Sequence, residues 1–159
     1  MTVRSAGILL YRRSSGSELE VWIAHMGGPF WAHKDSRAWS IPKGEYLPSE
    51  DALAAAHREF AEEMGTPAPS ANYIQLGAFR QPSGKIITVF AAESDFAPDR
   101  ILSNTFSLEW PKGSGMVRSY PEVDDAGWTR EPIARTKLVK GQLSILDALL
   151  QHLASGGGQ

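Results

Sequence analysis

Apolar positions along the chain form two kinds of run: near-continuous or alternating runs typical of strands, and longer runs with helical spacing. The first run, residues 3–12, is dense in Ile and Leu, and residues 19–25 alternate after a polar turn. Two further runs flank the segment QPSGK, which predicts a hairpin. The pattern therefore predicts strands at residues 3–12, 19–25, 39–41, 73–80, 86–93 and 123–129.

Helical spacing marks three other segments. The first is predicted to begin at Ser49 as its N-cap, with Glu50 and Asp51 in the first turn, and to end at Gly65. A short helix at residues 131–138 and an amphipathic helix at 143–153 follow. The buried face of this last helix is predicted to carry Ile145, Leu146, Leu149, Leu150 and Leu153.

The order of these elements mixes hairpins with helical crossovers. Such an order predicts an α/β fold with a mixed sheet between helices on both faces. Residues 97–120 show no clear period and are predicted to form a long irregular connection, a kind of segment that is usually functional or mobile.

Composition narrows the function classes. A chain of 159 residues suits one domain, expected at residues 1–154, followed by a flexible Gly-rich tail at 155–159. The net charge of −2 gives no basic field for nucleic acid or an anionic membrane, and no apolar run is long enough for a membrane span. The absence of cysteine excludes thiolate chemistry. A cytoplasmic protein, monomeric or homodimeric, is the expectation.

Three glutamates crowd one side of the first helix. At about 100° per residue, Glu59, Glu62 and Glu63 share a face, and small alanines precede them on it. These acids lie in the last turns, where the helix dipole disfavours negative charge, so a divalent cation would relieve the repulsion. Carboxylate oxygens without cysteine suit Mg²⁺ or Mn²⁺ rather than Zn²⁺. The alternative is an ordinary solvated helix end without metal.

Residues 44–66 resemble the signature of the Nudix hydrolase family, which includes MutT-like enzymes. That signature is Gly, five residues, Glu, seven residues, Arg-Glu, an apolar residue, any residue, Glu-Glu, any residue, Gly and an aliphatic residue. Thr66, in the final apolar slot, is the one departure. The matching positions are Gly44, Glu50, Arg58, Glu59, Phe60, Glu62, Glu63 and Gly65.

The resemblance implies an α/β/α sandwich and a metal site. In the family, the equivalents of Glu59, Glu62 and Glu63 bind divalent metal, as does the carbonyl of the first glycine, here Gly44. It also implies that Glu50 and Arg58 form a supporting ion pair.

The resemblance leaves the general base open. In the family this base is either a glutamate of the signature, here Glu59 or Glu62, or a glutamate of a downstream loop. In this chain Glu122 is the favoured downstream candidate, and Glu109 is the other.

Contacts to substrate phosphates are expected from basic residues near the signature. Lys43 precedes it in the tripeptide PKG, which occurs in Nudix members that act on dinucleoside polyphosphates and diphosphoinositol phosphates. Arg80 and Lys85 flank the predicted hairpin turn and are further candidates.

Aromatic residues near the site are candidates for stacking on a nucleobase. Trp31, with its neighbour Phe30, lies in the loop before the signature, and Trp110 lies in the long later connection. Trp39 is expected in the core instead.

The implied activity is Mg²⁺-dependent hydrolysis of a nucleoside diphosphate linked to another group. Dinucleoside polyphosphates and nucleoside triphosphates, including oxidised ones, rank above ADP-ribose, NADH and RNA 5′ ends. Residues 120–128 and 137–149 are similar to small bacterial Nudix proteins described as NTP pyrophosphohydrolases and diadenosine polyphosphate hydrolases. The alternative is a Nudix-fold module that binds nucleotides without turnover.

Overall fold

The computed structural model describes residues 2–156, which form a seven-stranded mixed sheet with three helices and a separate two-stranded hairpin. The main path of the large sheet runs β3-β2-β1-β6-β5, with β4 paired to β1 and β9 paired to β2. β1 and β6 are parallel, and the other pairs are antiparallel. The strands are β1 Arg4–Arg13, β2 Leu19–Met26, β3 Trp39–Ser40, β4 Lys43–Glu45, β5 Ile74–Arg80, β6 Ile86–Glu93, β7 Thr105–Glu109, β8 Val117–Pro121 and β9 Val123–Arg130.

Alternation along β1 divides the core into two layers. Ala6, Ile8 and Leu10 pack in the layer that contains helix α1 (Ala52–Met64), whereas Leu9 and Tyr11 pack in the opposite layer. That opposite layer contains α2 (Glu131–Lys137) and α3 (Leu143–Ala154), joined by a 3-10 turn at Lys140–Gln142. The predicted mixed sheet between helices is therefore confirmed.

Helix α1 begins two residues later than the sequence suggested. The predicted N-cap, Ser49, is wrong: Asp51 is the cap, and its Oδ2 accepts a hydrogen bond from the Ala54 N–H at 3.0 Å. Residues 47–50 form a turn instead, in which Glu50 Oε1 accepts from the Leu47 N–H at 3.0 Å. Gly65 ends the helix at φ 77°, a left-handed conformation that glycine adopts without strain.

The prediction of an irregular connection at residues 97–120 is wrong, and one strand, β4, was not predicted. Residues 97–120 contain β7 and β8, which pair with each other and not with the main sheet. The segment after Pro42 forms β4, whose Gly44 is paired with Ala6 of β1.

Helix α3 buries a narrower stripe than predicted. Ile145, Leu146 and Leu149 are fully buried and Leu153 packs against them, but Leu150 is 38% exposed and is not a core residue. Between residues 2 and 156 no helix is long and apolar enough to cross a bilayer. The tail prediction falls largely on residues 157–159, which lie outside the described residues.

Candidate active site

The acidic face of α1 is organised around one arginine. Arg58 Nη1 donates to Glu59 Oε2 at 2.6 Å and to Glu62 Oε1 at 3.3 Å, and its Nη2 donates to Glu50 Oε2 at 3.1 Å. The backbone carbonyl of Glu45 in β4 accepts a further contact from Nη2 at 3.5 Å. The guanidinium thus holds the helix, the turn before it and β4 together, and it partly neutralises three carboxylates.

Strand β4 lies directly against these acids. The space next to the Gly44 Cα is filled by Glu59: a Cβ built on Gly44 would lie 1.7 Å from Glu59 Oε1. The adjacent Lys43 N–H donates to Glu63 Oε1 at 3.3 Å. Only a residue without a side chain fits at position 44 while Glu59 keeps this conformation.

The carboxylates of the site repel one another in a partly dehydrated environment. Burial raises the pKa of Glu63 to about 8, against the opposing effect of Lys43. Burial, and then repulsion from Glu62, also raises the pKa of Glu59 and of Glu122. The pKa of Glu50 is lowered by its hydrogen bond from the Leu47 N–H and by Arg58. Three of the acids would therefore ionise more readily beside an added cation.

Glu122 is positioned beside α1 by a short segment, residues 102–104. The Asn104 N–H donates to the Glu62 carbonyl at 2.8 Å, and the Asn104 carbonyl accepts from the Glu122 N–H at 2.8 Å. The Ser103 hydroxyl accepts from the Val123 N–H at 3.0 Å. The sequence analysis missed this segment, because contacts made by the backbone leave no residue-type signal. Glu122 is exposed as a residue, but nearby protein atoms still dehydrate its carboxylate in part, and this is the burial that raises its pKa.

The three predicted basic residues differ in which groups they contact. Lys43 lies close to the acids, since its charge opposes the rise in the pKa of both Glu63 and Glu122. Lys85 Nζ lies 3.1 Å from Glu45 Oε2, at the outer side of β4. Arg80 donates to the Gly84 carbonyl within its own turn, and with Lys85 it lines a surface cavity of about 430 Å³.

The aromatic candidates have their recorded contacts in other parts of the fold. Trp31 packs against the core layer of α2 and α3, and its ring is perpendicular to that of Phe30 at 4.8 Å. Trp39 is buried, as expected, and its Nε1 donates to Asp35 at 2.9 Å. Trp110 is 40% exposed at the tip of the β7–β8 hairpin. Direct contact of Trp31 with a substrate stays a prediction.

Glu109, the other candidate base, has a structural role in the β7–β8 hairpin. Its two carboxylate oxygens accept from the Gly113 N–H at 2.9 Å and the Gly115 N–H at 3.0 Å. These bonds close the tip of the hairpin. They use the oxygens that a general base would need, which favours Glu122 for that role.

Comparison with known proteins identifies the family. The family model of the NUDIX domain matches residues 1–149. The chain belongs to the Nudix family. This confirms the resemblance seen in residues 44–66 and the predicted class, a hydrolase acting on phosphoanhydride bonds.

Solved structures share the Nudix fold with this chain. The Caenorhabditis elegans Ap4A hydrolase in a binary complex is 21% identical, with a TM-score of 0.63, over 97% of this chain and 99% of that one. The NUDIX domain of Shewanella oneidensis NrtR, complexed with ADP ribose, is 15% identical, with a TM-score of 0.66, over 96% and 89%. A mutT/nudix family protein from Listeria innocua is 16% identical, with a TM-score of 0.64, over 97% and 95%. Comparison with curated proteins gave no match.

The side chains of the site fit the divalent metal that Nudix hydrolases generally require. The donors are carboxylate oxygens in a half-buried, mutually repelling group, which is the hard-ligand chemistry of Mg²⁺ and Mn²⁺. Within residues 2–156 no three such groups already converge on one point, and Glu59 and Glu62 both bind Arg58. Metal binding would replace part of this contact with Arg58.

Proposed function

We infer that this Nudix protein is a Mg²⁺-dependent pyrophosphohydrolase that cleaves a nucleoside diphosphate linked to another group. Dinucleoside polyphosphates and nucleoside triphosphates, including oxidised ones, are the favoured substrates. The observation that carries this proposal is the placement of Glu59 and Glu63 against β4, with Glu62 on the same helix and Glu122 close enough to raise the pKa of Glu63.

The acids of α1 and the Gly44 carbonyl would hold the metal. The bound cation supplies charge neutralisation at the phosphate oxygens and a more acidic water. Lys43, which already lies near Glu63 and Glu122, places a further positive charge where a phosphate would bind.

Glu122 is proposed as the general base. Its carboxylate has a raised pKa, and its backbone is fixed relative to Glu62 through Asn104. A base held in this way removes a proton from water at a constant position relative to the metal ligands. Glu59 and Glu62 remain the alternative bases.

Product analysis in ¹⁸O-labelled water tests the proposal. The chain is incubated with Mg²⁺ and a panel of dinucleoside polyphosphates, nucleoside triphosphates, ADP-ribose and NADH, and mass spectrometry locates the label. We expect cleavage of a phosphoanhydride bond in the first two classes. A wild-type protein that binds nucleotides but cleaves none would instead favour the binding module.

Matched variants test the catalytic roles. Glu122→Gln should lower kcat about 10²–10⁴-fold, as is usual for loss of a general base. Glu109→Gln, which changes the same functional group at the hairpin tip, should leave kcat nearly unchanged. Equal losses in both variants would contradict the assignment of Glu122. Glu62→Gln and Glu63→Gln should each raise the Mg²⁺ concentration needed for half-maximal rate.

A further inference from the structure

The β7–β8 hairpin has two chemically different faces. The cross-strand pair Phe106 and Tyr120 and the next pair, Leu108 and Arg118, share one face. Along β7, Phe106 and Leu108 are half-buried, whereas the residues between and beside them are exposed and polar. An apolar face with one arginine on a hairpin outside the main sheet indicates a surface for binding.

The base of this face is fixed against the loop that follows β2. The Phe106 ring lies over Gly28, where a Cβ would be 2.8 Å from the Phe106 Cζ and the backbone has φ 97°. The neighbouring Gly27 N–H donates to the Glu122 carbonyl at 2.9 Å. The Phe106 end of the apolar face therefore packs on the loop after β2, at the end of the sheet where Glu122 lies, whereas Tyr120 is half-buried and Arg118 is exposed.

Both ends of the hairpin are connected to the candidate catalytic acids. Asn104, which precedes β7, bonds to the Glu62 carbonyl and to the Glu122 N–H, and Glu122 follows β8 after Pro121. A ligand whose phosphates lie at the α1 acids could extend from them along the hairpin. The base of the hairpin therefore adjoins the proposed active site.

The side chains of this face suit a flat, uncharged ring better than another phosphate. The rings of Phe106 and Tyr120 lie side by side with centroids 6.0 Å apart. The Arg118 guanidinium makes no hydrogen bond or ion pair with any residue in the part of the chain that the structure describes. Aromatic rings and a free guanidinium plane both stack on bases.

We propose that the Phe106–Tyr120 face of the β7–β8 hairpin binds the nucleobase of the substrate, with Arg118 stacking on or bonding to it. The inference rests on the proposed function for the position of the phosphates. It makes the hairpin the element that selects nucleotides over base-free polyphosphates and sugar phosphates.

Binding without metal tests this inference separately from turnover. The four nucleoside monophosphates and ribose 5-phosphate, which lacks a base, are titrated into the full chain and followed by NMR. We expect nuclear Overhauser effects between base protons and the ring protons of Phe106 and Tyr120. Base protons that show no such effect while the nucleotide is bound would overturn the inference.

Paired variants provide the second measurement. Phe106→Leu with Tyr120→Leu keeps the apolar contact but removes the rings, and we expect affinity for the best nucleotide to fall roughly tenfold, the loss typical of one base stack. Affinity for ribose 5-phosphate should not change. Val117→Thr, on the opposite face of the same hairpin, is the matched control, and circular dichroism verifies folding. Arg118→Gln, which leaves the rings intact, should also weaken nucleotide binding.

Three outcomes would overturn the inference. These are an equal loss for ribose 5-phosphate, an equal loss in Val117→Thr, or a changed oligomeric state in the paired variant without a change in nucleotide affinity. The last outcome would mean that a second copy of the chain occupies the face. A protein that binds bases at the hairpin but hydrolyses nothing would contradict only the proposed function.

Discussion

Replacing Gly44 with alanine separates the role of Glu59 in the site from its role in stability. The new Cβ would lie 1.7 Å from Glu59 Oε1 and 2.0 Å from its Cδ, so the carboxylate must move away. The Glu59 Cγ would also lie only 2.7 Å away, so the whole side chain must rotate about its Cα–Cβ bond, which it can do without moving the helix backbone. Alanine should therefore displace the proposed metal ligand while the fold remains intact.

Two small, opposing terms set the stability change. Loss of the Arg58–Glu59 contact, in which the arginine side chain is 41% exposed, costs about 0.2–1 kcal/mol. Gly44 does not have a positive φ, so alanine restricts the unfolded chain and gains about 0.4–1 kcal/mol. The free energy of unfolding should change by less than about 1 kcal/mol, which corresponds to a melting-temperature shift within about 2–4 °C.

The effect of Gly44→Ala on the hydrolysis rate should be much larger than its effect on stability. Disturbing even an outer partner of a metal site typically lowers metal affinity or activity about 10–100-fold, so displacing a ligand should cost at least that. The assay is the initial rate against Mg²⁺ concentration, with thermal melts of the same samples. Gly127→Ala is the matched control. Gly127 lies in β9, another strand of the same sheet, and a Cβ built there would have no atom within 4 Å. A folded Gly44→Ala protein with an unchanged rate and Mg²⁺ requirement would refute the reasoning.

Three further predictions concern charge and packing. In the metal-free protein, burial raises the pKa of Glu63 from its ordinary value of 4.5 to about 8, so the unfolded state binds fewer protons between these pH values. Stability should then fall as pH rises through that range, by at most about 1.4 kcal/mol per unit, and urea melts of Glu63→Gln should lack this part of the slope. Ile145→Ala should cost about 2–5 kcal/mol in chemical denaturation and Leu150→Ala clearly less, and equal costs would show that the buried face of α3 is misassigned. Arg58→Lys loses the planar fork that binds several acids, so it should lower the melting temperature more without Mg²⁺ than with it, and an equal drop in both conditions would contradict that explanation.

The elements that the sequence predicted well are those set by local periodicity. The spacing of Glu59, Glu62 and Glu63 fixes their common face in any α-helix, so their grouping did not require the tertiary structure. The prediction that Leu150 is buried was wrong, because this residue lies at the edge of the apolar stripe of α3. On the wheel it lies about 140° from Ile145, whereas Leu149 lies only about 40° away. How far a stripe is buried depends on the neighbouring layer, which the periodicity of α3 does not describe.

The β7–β8 hairpin was missed although part of its signal was present. Residues 105–109 alternate between polar and apolar, the period of a strand. The proline and two glycines between this run and Val117 resemble coil, and the tip is closed by Glu109 across several residues. The contacts of Gly44 and Asn104 lay beyond sequence reasoning for another reason. They join segments far apart in the chain through backbone atoms.

Charge balance explains why this arrangement favours a cation. The site brings together five carboxylates and two basic groups, so with every group ionised it carries three uncompensated negative charges. The acids are Glu50, Glu59, Glu62, Glu63 and Glu122, and the basic groups are Arg58 and Lys43. Without metal, burial favours a proton on Glu63 by raising its pKa to about 8, and the raised pKa values of Glu59 and Glu122 favour their protonated forms in the same direction. A divalent cation would replace those protons, and at a hundred times its dissociation constant it would stabilise the fold by about 2.7 kcal/mol. Because binding then releases protons, the Mg²⁺-induced rise in melting temperature should be larger at pH 8 than at pH 6. A rise that does not depend on pH would show that the metal does not bind at these acids.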